Sequence, residues 1–153
     1  RALSTEEVDV LSKKFKKIVE AGALATGCDF EMKQTEQMEE VYVNVPIARL
    51  LDSNFELVGE KTTMRTYEQG VGSTDVGSVT HVLPAIQGYI DITEHQDIPT
   101  HTREFASCAN SEYGYSAMIR AAKAMALTVF DLLSDRSLLQ EVIDYFKERR
   151  KEF

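Results

Sequence analysis

The chain has little of what marks several common classes of protein. Its 153 residues include no tryptophan, three prolines, three histidines and two cysteines. Cys28 and Cys108 form no CxxC pair, which argues against a disulfide scaffold or a structural zinc knuckle. We therefore expect two free thiols in a reducing cytoplasm. No apolar run approaches the roughly 20 residues of a membrane span, and the N-terminus lacks the layout of a signal peptide.

Positive charge is also scarce. The 25 acidic and 17 basic side chains give a net charge of -8, which nucleic-acid phosphates and anionic membrane surfaces repel. We expect neither as a partner. Apolar residues make up 43% of the chain, enough for the core of one domain or for pieces of two. The first residue is Arg1 rather than methionine, which we interpret as truncation of a longer protein.

The first third of the sequence predicts a helix followed by a strand. Ser4 and Glu7 have the spacing of a capping box, and Gly27 offers a helix stop. Apolar and polar residues then alternate from Cys28 to Lys33, which predicts a strand with one buried face. A second, weaker strand is expected at residues 41–43, and we place a domain boundary at residues 40–45.

The remaining sequence predicts a helix after Pro46, strands at residues 79–83 and 85–92, and two long helices at the end. Residues 93–111 show no apolar periodicity, and structureless loops of that length are often functional. The last two helices are expected to begin near Ser111 and after Asp135. We expect the first of them to bury a continuous apolar face, made of Met118, Ala121, Ala122, Met125, Val129, Leu132 and Leu133.

A cluster of glycines and short polar residues lies between Gly70 and Gly77. Such a cluster permits tight turns and lets main-chain amides approach a ligand, and a plain turn is an equally good interpretation. It lacks the lysine of a phosphate loop, and no strand and helix bracket it as a dinucleotide fingerprint requires. We therefore exclude nucleotide binding.

The three histidines are the other candidates, because imidazole is the commonest metal ligand and the usual acid or base near neutral pH. His95 lies in an acidic, polar run and is predicted to be a solvated bystander. For His81 a hydrogen-bonded histidine of a sheet is favoured over a pocket residue. For His101 exposure to solvent and metal binding remain equal alternatives.

Three segments together resemble a known family. They are residues 72–79 (GSTDVGSV), Leu83-Pro84, and His101 to Phe105 (HTREF). This pattern is similar to the C-terminal signature of the metal-dependent amidohydrolases, the zinc peptidase family that includes aminoacylase, hippurate hydrolase and carboxypeptidase G. Within it, the chain most resembles the aminobenzoyl-glutamate utilisation enzymes and their dipeptidase-like relatives. The alanine-rich penultimate helix and residues 22–27 extend the resemblance over nearly the whole chain.

The resemblance implies an α/β fold. Residues 1–40 would be the remnant of an α+β lid domain that mediates dimerisation. Residues 41–153 would be the returning C-terminal part of a catalytic domain with a mostly parallel sheet. A homodimer, or association with a missing N-terminal portion, is the expected state.

The resemblance also implies the site. His101 would be a ligand of a divalent metal, zinc first and manganese or cobalt as alternatives. The pocket for a small amide substrate would be lined by Gly72, Ser73, Thr74, Asp75 and His81. The parent reaction would be cleavage of an N-acyl amino acid, an aminobenzoyl-glutamate-like conjugate or a dipeptide.

One histidine cannot hold zinc, which takes about four ligands. We therefore expect the isolated chain to be inactive. The alternative is a non-catalytic remnant or subunit that binds a partner chain.

Overall fold

A computed structural model describes residues 2–63 and 72–152. The elements in these ranges are helices α1 (Thr5–Thr26), α2 (Val45–Leu57), α3 (Val76–Thr80), α4 (Arg103–Ala109), α5 (Glu112–Ser134) and α6 (Arg136–Arg149), followed by a 3-10 turn at Arg150–Glu152. None of the helices in these ranges is long and apolar enough to cross a membrane.

The expected α/β fold with a mostly parallel sheet is wrong, because the two described ranges contain helices and no strand. Residues 28–33 and 41–43 are irregular, residues 79–80 belong to α3, and residues 85–92 have no regular structure. A strand persists only where a neighbour completes its hydrogen-bond ladder. Here Asn44 N donates to Ala85 O at 3.1 Å, and this bond does not extend into a ladder. Apolar and polar residues do alternate from Cys28 to Lys33, but the described residues form no sheet with which this segment could pair.

The predicted helix boundaries are confirmed. The Ser4 side chain accepts from Glu7 N at 3.2 Å, and Gly27 ends α1 in the left-handed conformation, with φ of 67°. Ser111 caps α5 and Asp135 caps α6 through their side-chain oxygens. Each cap satisfies amides or carbonyls that the helix itself leaves unpaired, which is why local sequence was enough to locate these ends.

The core lies between α2 and α5. Leu51 and Phe55 of α2 pack with Ala124 of α5, and Ile86 and Ile90 pack against this cluster. Apolar side chains of the predicted strand at residues 85–92 are therefore partly buried against helices. This packing explains a strand-like sequence outside any sheet.

Two buried amides join α2 to the last two helices. Asn54 Nδ2 donates to Thr128 Oγ1 at 3.1 Å and to Asp131 Oδ2 at 2.9 Å. Asn44 Nδ2 donates to Val142 O at 3.0 Å. Because an unpaired buried amide is costly, these bonds favour one arrangement of the three helices.

The predicted inward face of α5 is correct only for Ala121, which packs against the core, and for Leu132, which is partly buried. The residues of α5 that are buried are the small ones, Gly114, Ala117, Ala124 and Thr128. The large side chains expected inside are instead exposed, at 55% for Met118, 61% for Met125, 55% for Val129 and 79% for Leu133. Because α5 contacts α2, α4 and α6 through its small residues, its large residues lie on the opposite side.

Helix α1 packs against no other helix in the described part of the chain. Phe15, Ile18 and Leu24 are exposed at 57%, 67% and 86%. The prediction of an amphipathic helix is correct in its pattern, but the apolar side has no helix to cover it. The contacts of α1 run instead through residues 37–40, described below.

Candidate functional site

The predicted pocket residues 72–75 form the turn that leads into α3. Thr74 Oγ1 accepts from Val76 N at 3.3 Å, and Thr74 O accepts from Gly77 N at 3.3 Å. Asp75 occupies the capping position of α3, but its carboxylate makes no capping bond and its side chain is exposed. Gly72 and Ser73 are exposed as well. The glycine-rich run is thus a turn with an exposed carboxylate beside it.

The first helical turn after Asp75 is pressed against residues 37–42, which we call the linking segment. A methyl group at Gly77 would overlap Glu39 O and lie 2.8 Å from Glu39 C, so only glycine fits there. Thr80 is buried, donates to Gly77 O at 2.6 Å and accepts from Tyr42 N at 2.9 Å. The need for glycine at position 77 therefore comes from close backbone approach.

His81 ends α3 and faces the linking segment. Its Nε2 lies 3.0 Å from Glu40 O, and its ring centroid is 4.3 Å from that of Tyr42. Because a carbonyl oxygen only accepts, Nε2 carries a proton. Nδ1 lies 3.9 Å from Glu39 Oε1. The side chain is 21% exposed.

The linking segment also holds the start of α1. Glu40 accepts hydrogen bonds from Thr5 N at 3.0 Å, from Thr5 Oγ1 and from Tyr42 Oη at 3.1 Å. Gln37 Nε2 donates to Thr5 O at 3.3 Å. Partial burial acts to raise the pKa of Glu40, but these hydrogen bonds outweigh it, so the pKa lies below its ordinary value. The same six residues thus contact both α1 and α3.

The stretch at residues 93–111 is more ordered than expected. Asp91 accepts from Thr93 N at 2.8 Å, Thr93 Oγ1 at 2.7 Å and His95 N at 2.7 Å. Glu94 and His95 have φ of 54° and 63°. Partial burial acts to raise the pKa of Asp91, but the hydrogen bonds from Thr93 and His95 lower it by more, so the pKa lies below its ordinary value. The Asp-x-Thr spacing is the sequence signal for this side-chain turn. Helix α4 also lies within residues 93–111, so the prediction of a structureless loop there is wrong.

His95 and His101 are both exposed. The His95 side chain is 84% exposed, with Nδ1 3.2 Å from Asp91 Oδ2, which agrees with a solvated position. His101 has φ of 66° and precedes Thr102, whose Oγ1 accepts from Phe105 N at 3.2 Å to cap α4. A left-handed non-glycine residue costs about 1–2 kcal/mol and is enriched at functional sites. The turn therefore holds His101 in a left-handed backbone conformation with its imidazole exposed to solvent.

A metal of the kind that the resemblance implies does not fit the described residues alone. In residues 2–63 and 72–152, no group of three or more histidine, cysteine or carboxylate side chains could hold a metal ion. Two exposed clefts in the described residues lie elsewhere: one runs along α1, and one of about 240 Å³ lies between α2, α5 and α6. Neither is lined by Gly72–Asp75, His81 or His101. We therefore derive no reaction step through a metal.

A charged cluster joins the segment after α2 to α5, and no pattern in the sequence predicted it. Arg120 donates to the Glu60 carboxylate and, at 2.5 Å, to Ser116 Oγ, with its guanidinium 5.5 Å from the centre of the Tyr113 ring. Partial burial and the charges of Asp91 and Glu60 raise the pKa of Tyr113, and Arg120 partly opposes this. Glu60 and Arg120 are 60 residues apart, so only the fold could reveal the pair.

Comparisons with known proteins bear on the resemblance. No model of a known protein family matches the chain. The Xaa-Arg dipeptidase of Mus musculus is 34% identical over 158 residues, covering 99% of this chain and 36% of the relative. The Xaa-Arg dipeptidase of Homo sapiens is 31% identical, covering 99% and 35%. The chain therefore spans about a third of the length of these relatives. Nearly all of it is similar to part of two dipeptidases, which supports the peptidase and amidohydrolase class that the sequence motifs indicated.

Proposed function

We propose that the chain is one part of a dipeptidase-like, metal-dependent amidohydrolase and is inactive without the rest. The observation that carries the proposal is the similarity of 99% of the chain to two Xaa-Arg dipeptidases. The described residues supply two exposed histidines with a left-handed backbone, His95 and His101, and no metal-binding group of three. A part of an active site, completed by other residues, accounts for both facts.

In this proposal His101 supplies one ligand to a divalent metal, zinc first and manganese or cobalt as alternatives. Residues 72–75 and His81 border the substrate. The exposed Asp75 carboxylate is a ready acceptor for a positively charged or amide-bearing substrate. Dipeptides come first among the substrates because both relatives are named for them; N-acyl amino acids and aminobenzoyl-glutamate-like conjugates follow. The free thiols of Cys28 and Cys108 are consistent with a reducing cytoplasm.

The experiment fuses this chain to the part of the mouse dipeptidase that is not similar to it, which we call the uncovered part. The segments follow one another in the order that they have in the dipeptidase. The isolated chain and the joined protein are assayed on dipeptides ending in arginine, on an N-acyl amino acid and on aminobenzoyl-glutamate, with bound metal measured. We expect hydrolysis and metal only in the joined protein. His101→Ala should reduce kcat/KM by more than about 100-fold, while the matched control His95→Ala should change it less than threefold.

Hydrolysis by the isolated chain would show that it is not inactive. A folded joined protein that binds metal but cleaves none of these amides would contradict the hydrolase assignment. Equal losses in His101→Ala and His95→Ala would remove His101 from the site.

The second candidate is a non-catalytic, partner-binding chain. It is favoured by the exposed apolar side of α1, where Phe15 and Ile18 have no helix against them in the described part of the chain. A homodimer through this helix is the form implied by the family resemblance. Sedimentation of the isolated chain, with Phe15→Ser/Ile18→Ser as the variant, tests it: this candidate requires a dimer that the variant dissociates.

A further inference from the structure

Helix α5 has apolar side chains on two opposite sides. One side is small and covered, at Gly114, Ala117, Ala124 and Thr128. The other side is large and exposed by about half or more, and we call it the outer face of α5: Met118, Ile119, Met125, Val129, Phe130 and Leu133. At about 100° per residue, these six side chains fall within an arc of roughly 140°.

Charge is excluded from this arc. Of the four charged residues of α5, Arg120 and Asp131 lie on the covered side, where they are partly buried and bonded to Glu60 and Asn54. Glu112 and Lys123 lie at the edge of the arc. A helix that is apolar on both sides is an interior helix, and a charge-free face of this kind resembles a domain core cut in half.

The surface area points the same way. The accessible surface of the chain is 11954 Å², whereas a folded monomer of 17.2 kDa exposes about 7,800 Å². The excess is about 4,000 Å². A standard interface buries about 800 Å² on each partner, and large obligate interfaces reach about 2,500 Å². A second copy docked on the outer face of α5 would therefore leave much of the excess uncovered.

The length of the relatives indicates a different partner for the outer face of α5. This chain accounts for 36% of the mouse dipeptidase and 35% of the human one, so about two-thirds of such a protein lies outside it. We infer that the outer face of α5 is a buried surface that packs against the polypeptide corresponding to that uncovered part. This inference rests on the proposed function for the identity of the partner, but not on any catalytic step.

The first test measures burial directly. Val129→Cys is introduced into the chain alone and into the protein joined to the uncovered part of the mouse dipeptidase. Gln140→Cys, an exposed position on α6, is the matched control. Thiol modification is followed peptide by peptide, which separates the native cysteines. We expect joining to slow modification at position 129 by at least about 100-fold, as for a buried core site, with less than a threefold change at position 140.

The second test uses separate polypeptides. The tagged chain is co-expressed with the uncovered part of the mouse dipeptidase, and recovery of the complex is measured. Met125→Lys/Val129→Lys should weaken association by at least about 100-fold. Ser134→Lys/Gln140→Lys, which adds the same charge outside the arc, should leave it unchanged. Circular dichroism of both variants checks that α5 remains helical.

The outcomes separate the two proposals. Protection at position 129 without hydrolysis supports the buried face and contradicts the hydrolase assignment. Hydrolysis with an unchanged rate of modification at position 129 supports the hydrolase assignment and contradicts the buried face. The inference is overturned if the unmutated chain fails to associate with the uncovered part, if both lysine pairs behave alike, or if the chain alone forms a dimer that already protects position 129.

Discussion

Gly77→Ala and Gly22→Ala are the same substitution with opposite expected effects. At Gly77 the new methyl group would overlap Glu39 O, and the obstacle is backbone that cannot rotate away. Overpacking costs about 1–3 kcal/mol, and we take the upper end, about 3 kcal/mol. Alanine is the better helix former by about 1 kcal/mol. The net loss in the free energy of unfolding is then about 2 kcal/mol.

At Gly22, inside α1, nothing lies within 4 Å of the added atom. Only the helix preference remains, so Gly22→Ala should stabilise the chain by about 1 kcal/mol. Urea unfolding measures both, and at a slope of about 2 kcal/mol per molar Gly77→Ala should lower the midpoint by about 1 M.

Hydrogen exchange locates the cause of the change. The Tyr42 amide, which donates to Thr80 Oγ1 at 2.9 Å, should exchange faster in Gly77→Ala and at the original rate in Gly22→Ala. If Gly77→Ala is as stable as the parent chain and Tyr42 keeps its protection, the close approach of α3 to the linking segment is not present in solution.

Three further predictions concern single side chains. The folded pKa of Asp91 lies below its unfolded value, so ionised Asp91 stabilises the fold fully above about pH 4, and this stabilisation is lost as pH falls through the folded pKa. Between pH 7 and pH 2.5, the urea midpoint should therefore fall less steeply in Asp91→Asn than in the parent chain. Parallel curves for the two proteins would contradict this. Asn54→Ala removes the amide bonded to Thr128 and Asp131 and should cost about 2 kcal/mol, against less than about 0.5 kcal/mol for the exposed neighbour Ser53→Ala; equal costs would mean that the buried amide is not bonded. His101→Gly relieves a left-handed residue with φ of 66° and should be more stable than His101→Ala by about 1 kcal/mol in thermal unfolding, whereas equal stability would refute the strain.

The sequence predicted the helix ends because caps are local. Ser4, Gly27, Ser111 and Asp135 each bond within a few residues of themselves, so their chemistry can be read without knowing the fold. The prediction of strands was wrong because a strand depends on distant residues that complete its sheet. The apolar residues at 85–92 predict burial but cannot say whether a sheet or a pair of helices covers them.

The inner side of α5 also depended on distant residues. Both of its sides are apolar, so periodicity alone could not tell which one α2 covers. The motif at residues 72–79 is a similar case. The glycine cluster predicted a turn, but the contact of Gly77 with Glu39 joins positions 38 residues apart. The class of relatives was readable because the resemblance extended over nearly the whole chain, as does the similarity to the two dipeptidases.

The linking segment has a mechanical consequence. Thr5 at the base of α1 and Thr80 at the end of α3 are both bonded to residues of one short stretch, through Glu40 and Tyr42. The contacts to the two helices overlap along this stretch, and α1 extends about 33 Å from it at 1.5 Å per residue. We therefore expect a displacement of α1 to be transmitted through residues 37–42 to α3 and to the turn that carries Asp75.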